Sequence, residues 1–209
     1  NKIQRANLDG SNVEDLVTTG LSDPFGIALD LINSKMYSTD FGTEKIQRAN
    51  LDGSNVEDLV TNADGLSIPR GIALDLINSK MYWIDAGTRK IQRADLTGSN
   101  VEDLVTTGLS GPLGIALDLI NSKMYWTDTG THKIQRADLT GSNVEDLVTT
   151  GLSLPFGIAL DLINSKMYWT DEGTDKIQRA DLTGDNVEDL VTGLSNPRGI
   201  ALDLANSKM

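Results

Sequence analysis

The chain has 209 residues, of which 39% are hydrophobic and 23% are charged, so it can build a substantial core. Its 30 acidic and 18 basic residues give a formal net charge of −12, which argues against nucleic acid as a partner because a phosphate backbone needs a basic face. The absence of cysteine excludes disulfides and thiol catalysis, and the single histidine excludes a multi-histidine metal site.

The sequence carries no targeting signal. No apolar run approaches the roughly 18 residues of a membrane span, so no membrane insertion is predicted. No signal peptide is present, and the chain begins at Asn1. These features predict a mature fragment or an engineered piece, and they leave the cellular compartment open.

Internal repetition dominates the sequence and is interpreted before any other pattern. The segment KIQRA recurs at intervals of 43, 45, 43 and 43 residues, starting at Lys2, Lys45, Lys90, Lys133 and Lys176. The repetition predicts a single domain over residues 1–209. Its repeats are 2–44, 45–89, 90–132, 133–175 and an incomplete 176–209.

Each repeat contains four segments of strand length. In chain order they are KIQRADL, VEDLVT, GIALD and KMYWTD, rich in β-branched and aromatic residues and separated by turn residues such as Asp9-Gly10. A helix is the alternative after Ser11, because Ser11-x-x-Glu14 fits a capping box, but about seven residues before Gly20 are too few for a stable helix. Four short antiparallel strands at this period predict an all-β fold, a β-propeller of four-stranded blades.

The fourth segment carries a family resemblance. Residues 125–128 and 168–171 read YWTD, and residues 82–85 and 37–40 are degenerate copies. Together with GIALD and KIQRA, they resemble the YWTD (class B) repeats of the low-density lipoprotein receptor family over essentially the whole chain. The resemblance implies that GIALD is the innermost strand 1, followed by KMYWTD, KIQRADL and the outer VEDLVT. It also implies an extracellular or cell-surface location.

The number of blades is predicted from the repeat count. Four continuous blades and one composite blade are expected, the composite taking strands 3 and 4 from the N-terminus and strands 1 and 2 from the C-terminus. Such a closed ring of five blades would remove exposed sheet edges. Propellers of the family have six blades, so a six-bladed arrangement or a truncated piece is the alternative.

Two sets of aspartates recur once per repeat. The favoured interpretation is that their side chains cap turns, because Asp oxygens accept hydrogen bonds from backbone N–H groups nearby. Calcium is the alternative, since carboxylate oxygens suit that ion, but no EF-hand-type loop is present and no cofactor or metal is predicted. The sets are Asp40, Asp85, Asp128 and Asp171, and Asp30, Asp75, Asp118, Asp161 and Asp203.

The other repeated residues also have structural interpretations. The tryptophans are predicted to pack between neighbouring blades, and the arginine of each KIQRA segment is predicted to pair with repeated acids or stack on rings. Catalysis is not predicted, because the sequence lacks GxSxG, HExxH and glycine-rich phosphate motifs. The inner strands are also nearly identical, whereas acid–base chemistry needs groups in unlike environments.

Differences between the repeats concentrate in two loops. Successive antiparallel strands alternate in direction, so the loop from strand 4 to strand 1 and the loop from strand 2 to strand 3 emerge on one side, here called the top face. The first loop carries Phe25, Arg70, Leu113, Phe156 and Arg198, and the second carries Phe41, Arg89, His132 and Glu172.

The residue types in these loops indicate a function. Aromatic, leucine and arginine side chains anchor protein interfaces, and the resemblance implies that the same face binds proteins. We therefore predict a non-catalytic interaction module that binds a protein or peptide ligand through these nine residues. A glycan-binding propeller with one site per blade, a ligand-free structural or engineered scaffold, and sequence drift in tolerant loops are alternatives. If His132 does not contact the ligand, it is a surface residue or a pH sensor. A homo-oligomer is also compatible with the sequence.

Overall fold

The structure is a computed structural model that describes all residues from Asn1 to Met209. It contains eighteen β-strands and one short 3-10 turn at Asn62–Asp64, which confirms the predicted all-β class. The segment after Ser11 forms a strand at Glu14–Val17, so the helical alternative is wrong. The structure holds no helix with the length and hydropathy that crossing a membrane requires.

The strands form four sheets of four strands and one sheet of two strands. Neighbouring strands in a sheet are antiparallel. The two-stranded sheet contains β1 (Ile3–Arg5) and β2 (Glu14–Val17). The next two sheets contain β3 (Pro24–Asp30), β4 (Lys35–Asp40), β5 (Lys45–Asn50) and β6 (Glu57–Thr61), then β7 (Pro69–Asp75), β8 (Lys80–Asp85), β9 (Lys90–Asp95) and β10 (Glu102–Val105). The last two contain β11 (Pro112–Asp118), β12 (Lys123–Asp128), β13 (Lys133–Asp138) and β14 (Glu145–Val148), then β15 (Pro155–Asp161), β16 (Lys166–Asp171), β17 (Lys176–Asp181) and β18 (Glu188–Thr192).

Each four-stranded sheet follows the chain as a meander, so it is one blade of a β-propeller. The registers repeat from blade to blade. The last residue of the second strand pairs with the first residue of the third strand, as in Asp40 with Lys45 and Asp128 with Lys133. The near-identity of the repeats therefore extends from the sequence to the hydrogen-bond ladder.

The second strand of a blade is buried on both faces, as in β12, which explains why its apolar residues Met, Tyr and Trp follow one another instead of alternating with polar residues. Trp83 in β8 is fully buried and packs in one cluster with Ile46 and Val60 of the preceding blade. Trp169 in β16 packs in the same way with Ile134 and Val148. The predicted packing of tryptophan between neighbouring blades is confirmed for Trp83 and Trp169.

The chain divides into two compact units. Unit 1 contains residues 1–88 and 92–102, and unit 2 contains residues 89–91 and 103–209. The prediction of a single domain over residues 1–209 stays a prediction.

The terminal segments differ from the complete blades. The N-terminal sheet has two strands, β1 and β2. The C-terminal segment forms one isolated bridge, between Asp203 and Lys208, which is equivalent to the Asp161–Lys166 pair that begins the β15–β16 ladder. A single bridge is too short to be a strand, so the composite blade expected from both termini stays a prediction.

Candidate functional site

The two variable loops of a blade lie side by side and are joined by a backbone hydrogen bond. Phe41 N donates to Asp23 O at 3.1 Å in the first four-stranded blade, and Glu172 N donates to Leu154 O at 2.9 Å in the last. Thr129 N makes the equivalent bond, also 2.9 Å long. Within each of these blades, both loops therefore emerge at the same end, as the strand alternation predicts.

The aspartate that ends each second strand holds this pair of loops together. Asp128 is fully buried, and its carboxylate accepts hydrogen bonds of 2.9 Å from four backbone N–H groups, those of Ser110, Gly111, Gly130 and Thr131. The first two donors belong to the loop before β11 and the last two to the loop after β12. The turn-capping interpretation is confirmed for this set of aspartates.

The second set of aspartates caps the opposite loops. Asp161 accepts from Asn164 N at 3.0 Å and from Asn164 Nδ2 at 2.7 Å, and Asp30 and Asn33 repeat this geometry. These hydrogen bonds, the side-chain bond first, hold the pKa of Asp161 below its usual value. Turn capping thus accounts for the recurrence of this set as well.

Hydrogen bonding also lowers the pKa of carboxyl groups in unit 1. Burial of Asp40 favours its neutral form, but the backbone N–H groups of Asp23, Thr43 and Ser22 donate to its carboxylate and outweigh burial, so the pKa of Asp40 is lowered. Asp58 has a lowered pKa mainly because Lys45 donates to it at 2.6 Å. The charged forms of these groups therefore favour the folded state.

We expect stability to fall in acid for this reason. A carboxyl group whose pKa is lower in the folded state than the ordinary Asp value of 3.8 stabilises the fold fully above that value, and the contribution is lost as the pH falls through the folded-state pKa. The free energy of unfolding, measured with urea, should be flat from about pH 7 to about pH 5 and should decrease below about pH 4. Added salt should weaken the part due to exposed Lys–Asp pairs. A stability that rises on acidification would contradict the assignment.

The threonine of the YWTD segment positions the next blade, a role that the sequence analysis missed. Thr39 Oγ1 accepts from Gly26 N at 2.9 Å and donates to Arg70 O at 2.6 Å, and Gly26 must stay small because a Cβ there would lie 2.7 Å from Arg70 O. Thr170 likewise donates to Arg198 O, at 2.5 Å. The signal in the sequence was only partial, since Thr39 is retained where its neighbour Trp is replaced by Ser38, but Ile84 replaces the threonine in the second repeat.

Three predicted residues of unit 1 form one cluster, here called the Arg70 stack. The guanidinium carbon of Arg70 lies 4.8 Å from the ring centre of Phe25 and 4.0 Å from that of Phe41. Both phenylalanines belong to the blade before that of Arg70, and all three side chains are partly buried. The stack therefore presents a cation flanked by two aromatic rings at the loop end of these blades.

Three predicted residues of unit 2 form a second cluster, the Arg198 stack. The guanidinium carbon of Arg198 lies 5.3 Å from the ring centre of Phe156, and its Nε and Nη2 donate to Glu172 at 3.2 and 3.1 Å. The side chain of Arg198 is 61% exposed and that of Glu172 is 18% exposed. The carboxylate thus fixes the orientation of a guanidinium that solvent still reaches.

The other three predicted residues are not part of either stack. Leu113 is partly buried in β11, and Arg89 is exposed with a φ of 57°. His132 is exposed, and its Nδ1 lies against the carbonyl oxygen of Ser153 in the loop of the next blade. Asp175, at the equivalent position one repeat later, accepts from Asn196 N at 3.3 Å.

The arginines of the KIQRA segments are structural, as predicted. Arg136 donates from Nη1 to Leu182 O of the next blade at 3.1 Å, pairs through Nη2 with Glu145 and lies 5.7 Å from the ring centre of Tyr125. Arg5 and Arg48 make the equivalent bonds to Leu51 O and Leu96 O. Within each unit, these side chains link a blade to the next one, so they have a structural role that the residues of the two stacks do not share.

Comparison with known proteins identifies the family. The model of the low-density lipoprotein receptor repeat class B matches four stretches, residues 34–76, 79–119, 122–162 and 165–204. The chain belongs to this family. The class B repeats thus cover well over half of the protein, and the YWTD resemblance of the sequence is confirmed.

Individual relatives match these class B repeats in different ways. Low-density lipoprotein receptor-related protein 4 of Homo sapiens is 54% identical over 35 residues, as are those of Mus musculus and Rattus norvegicus. That match spans 17% of this chain and 2% of the length of the relatives. A solved structure of a nidogen–laminin complex superposes on this chain with a TM-score of 0.87 at 28% sequence identity. The match covers 95% of this chain and 77% of the chain in that structure.

A more distant structural likeness concerns the fold alone. Virginiamycin B lyase of Staphylococcus aureus superposes on this chain with a TM-score of 0.75, and the match covers 97% of this chain and 68% of the lyase chain. The two sequences are only 21% identical. The class B repeats and this enzyme share the propeller architecture, which hosts many unrelated functions.

Proposed function

We propose that this class B repeat protein is a non-catalytic module that binds a protein or peptide ligand through the top-face loops. The observation that carries the proposal is that six of the nine predicted residues form the Arg70 stack and the Arg198 stack. The sites lie where the repeats differ, so each has its own shape although the blades beneath are nearly identical. Leu113, Arg89 and His132 complete the proposed surface.

The chemistry of the stacks suits a protein ligand. Arginine and aromatic residues are the types that dominate binding energy at protein interfaces. In the Arg198 stack, Glu172 and Phe156 hold the guanidinium in place, so little side-chain entropy is lost when a partner carboxylate or aromatic ring is bound. The overall charge of −12 favours a partner with basic regions around the contact.

The comparisons support the same class of function. The nidogen propeller that this chain resembles was solved in complex with a protein, laminin. Low-density lipoprotein receptor-related protein 4 is named for its relation to a receptor. We infer from both that this chain acts outside the cell or at its surface, and that its partner is a protein and not a small substrate.

The test is a selection of displayed peptides on the folded protein, followed by binding to a variant. Changing Phe25, Arg70, Phe156 and Arg198 together to alanine should weaken the selected ligands at least about thirtyfold, since one interface anchor contributes about 2 kcal/mol. Melting temperature should hardly change, because these side chains lie outside the buried core. Binding is measured by titration calorimetry.

A matched variant keeps this experiment specific. Ile32, Ile77, Ile120 and Ile163 are between 81% and 84% exposed in the loops between strands 1 and 2, at the other end of the blades. Their joint replacement by alanine removes a similar amount of exposed apolar surface and should leave binding unchanged. If a ligand binds the top-face variant normally but no longer binds the isoleucine variant, its site lies at the opposite end of the blades and the proposal is wrong.

One observation favours glycan binding as a second candidate function. A cavity of about 460 Å³ is lined by Asp118, Asn121, Tyr125 and Arg136 among others. A cavity of about 320 Å³ recurs one blade later, lined by Asp161, Asn164, Tyr168 and Arg179. Recurrent cavities that combine carboxylate, amide and guanidinium groups with an aromatic side chain suit one sugar per blade. A glycan array should then show binding that Asn121→Ala and Asn164→Ala weaken, and an array without binding would exclude this candidate.

A further inference from the structure

The loops from strand 4 to strand 1 have two backbone conformations. Each of these loops, here called proline loops, contains a Ser-x-Pro segment. The residue before the proline has a positive φ at Ile68 (54°) and at Asn196 (50°). The equivalent residues of the other loops do not have a positive φ; they are Asp23, Gly111 and Leu154. Asparagine tolerates a positive φ, but a β-branched residue rarely adopts one, so the surroundings of Ile68 impose this conformation.

In the proline loop of the last four-stranded blade, a carbonyl group faces the preceding blade. Ser153 O lies against Nδ1 of His132, which belongs to that preceding blade. The other end of the same peptide group, Leu154 N, donates to the buried carboxylate of Asp171 at 3.0 Å. Leu154 keeps an ordinary φ in this arrangement.

In the two loops with a positive φ, the equivalent peptide group is turned over. Asn196 N donates to Asp175 Oδ1 at 3.3 Å, so the N–H group and not the carbonyl group faces the residue equivalent to His132. In the second four-stranded blade, Ser67 O accepts from Gly87 N of its own blade at 2.9 Å. Turning over one peptide group changes the sign of φ at the next residue, as between type I and type II turns.

The residue that the peptide group faces differs in the same way. It is the last residue before strand 3 of the preceding repeat, here called the clasp residue, and the four are Glu44, Arg89, His132 and Asp175. A carboxylate only accepts hydrogen bonds, so Asp175 pairs with an N–H group and Glu44 accepts from Ser67 Oγ at 3.3 Å. An imidazole can donate, so His132 pairs with Ser153 O.

The chemistry of the clasp residue thus follows the conformation of the next proline loop. The two carboxylates, Glu44 and Asp175, precede the two loops with a positive φ. The two residues that can donate, Arg89 and His132, precede loops without one. A carboxylate beside a carbonyl oxygen would be repelled, which gives the correlation a physical cause.

We propose that the clasp residue is a positioning residue that determines the backbone conformation of the next proline loop and, through it, the ligand specificity of the top face. The loops that follow a carboxylate carry Arg70 and Arg198, and those that follow a donor carry Leu113 and Phe156. Because each of these side chains lies two residues beyond the turned peptide group, a different clasp residue reorients it without replacing it. The specificity role rests on the function proposed above, whereas the control of loop conformation does not.

Nuclear magnetic resonance of the full chain, labelled with ¹⁵N, tests the control of loop conformation. Changing His132→Asp together with Leu154→Asn places in this repeat the pair found at Asp175 and Asn196. We expect a positive φ at residue 154, seen as a strong nuclear Overhauser effect between its amide and α protons. Its amide should also exchange at least about fivefold faster, since the bond to the buried Asp171 is lost.

Two further variants make this test specific. Leu154→Asn alone is the matched control, and it should keep an ordinary φ because His132 still donates to Ser153 O. The reciprocal change, Glu44→His with Ile68→Leu, should remove the positive φ at residue 68. The proposal is overturned if residue 154 keeps its ordinary φ in the double variant, or if Leu154→Asn alone makes it positive.

Peptide binding tests the specificity role. The probes are displayed peptides that were selected on the unchanged protein and that lose affinity for Phe156→Ala. They should bind the His132→Asp, Leu154→Asn variant at least about fivefold more weakly than they bind Leu154→Asn. If φ changes but these peptides bind both variants equally well, the specificity role and the proposed top-face function are both wrong. If φ does not change, the inference about the clasp residue fails and the proposed function is unaffected.

Discussion

Replacing Asp128 with alanine is expected to lower the free energy of unfolding by about 4 kcal/mol or more, one of the largest effects of any single change in this chain. The buried carboxylate accepts four backbone N–H bonds, and each buried donor left without an acceptor costs about 1–3 kcal/mol. Water that enters the loop will recover part of this cost. Urea unfolding followed by circular dichroism measures the change.

Two controls separate the hydrogen bonds from the loss of charge or surface. Asp128→Asn keeps one acceptor oxygen, so it should be less harmful than alanine. Asp185→Ser alters an exposed carboxylate and should change stability by less than about 0.5 kcal/mol. A loss below about 1 kcal/mol for Asp128→Ala would mean that the loops are not held by this side chain.

The second large effect is expected at Trp169. Its replacement by serine should cost about 4 kcal/mol, because the fully buried ring packs with Ile134 and Val148 of the preceding blade and would leave a cavity. The change also removes the donor that binds Gln178 Oε1 at 3.0 Å. Urea unfolding again provides the measurement, and a near-neutral result would contradict the assigned packing.

The first repeat offers the reciprocal substitution. Ser38 occupies the tryptophan position there, and Gln47, which is buried, donates to Asp58 as the other glutamines do and retains its Oε1 as an acceptor. Ser38→Trp should therefore raise stability, by about 2 kcal/mol, as the ring packs on Val17 and donates to Gln47. A loss of stability would show that the N-terminal sheet does not form the same receiving surface as a complete blade.

Much of the fold could be predicted because every repeat carries the same local pattern of strand and turn residues. The strand segments, the turn residues and the aspartate spacing agree with one another five times over, so an error in one repeat is corrected by the others. The pairing of the two variable loops also followed from strand alternation alone, and the bond from Phe41 to Asp23 confirms it. The termini were harder, because each carries only part of the four-strand pattern.

The contacts between the residues of the site were harder to predict from the sequence. The nine residues could be selected because they vary, but variation does not show which of them touch. Arg70 meets Phe25 and Phe41 because Thr39 and Gly26 bring its backbone against the preceding blade, and this depends on how adjacent sheets pack. Arg89 and Arg198 have the same charge, yet only Arg198 finds a ring and a carboxylate.

The Arg70 stack has a consequence for how such a protein can change over generations. Its rings come from one repeat and its cation from the next, so no single repeat encodes a complete contact. Exchanging one repeat for another would change the contacts with both neighbouring repeats at once. The buried strands would tolerate the exchange, because they are nearly the same in all repeats. Shuffling a few repeats could thus generate many recognition surfaces from a small stock of units.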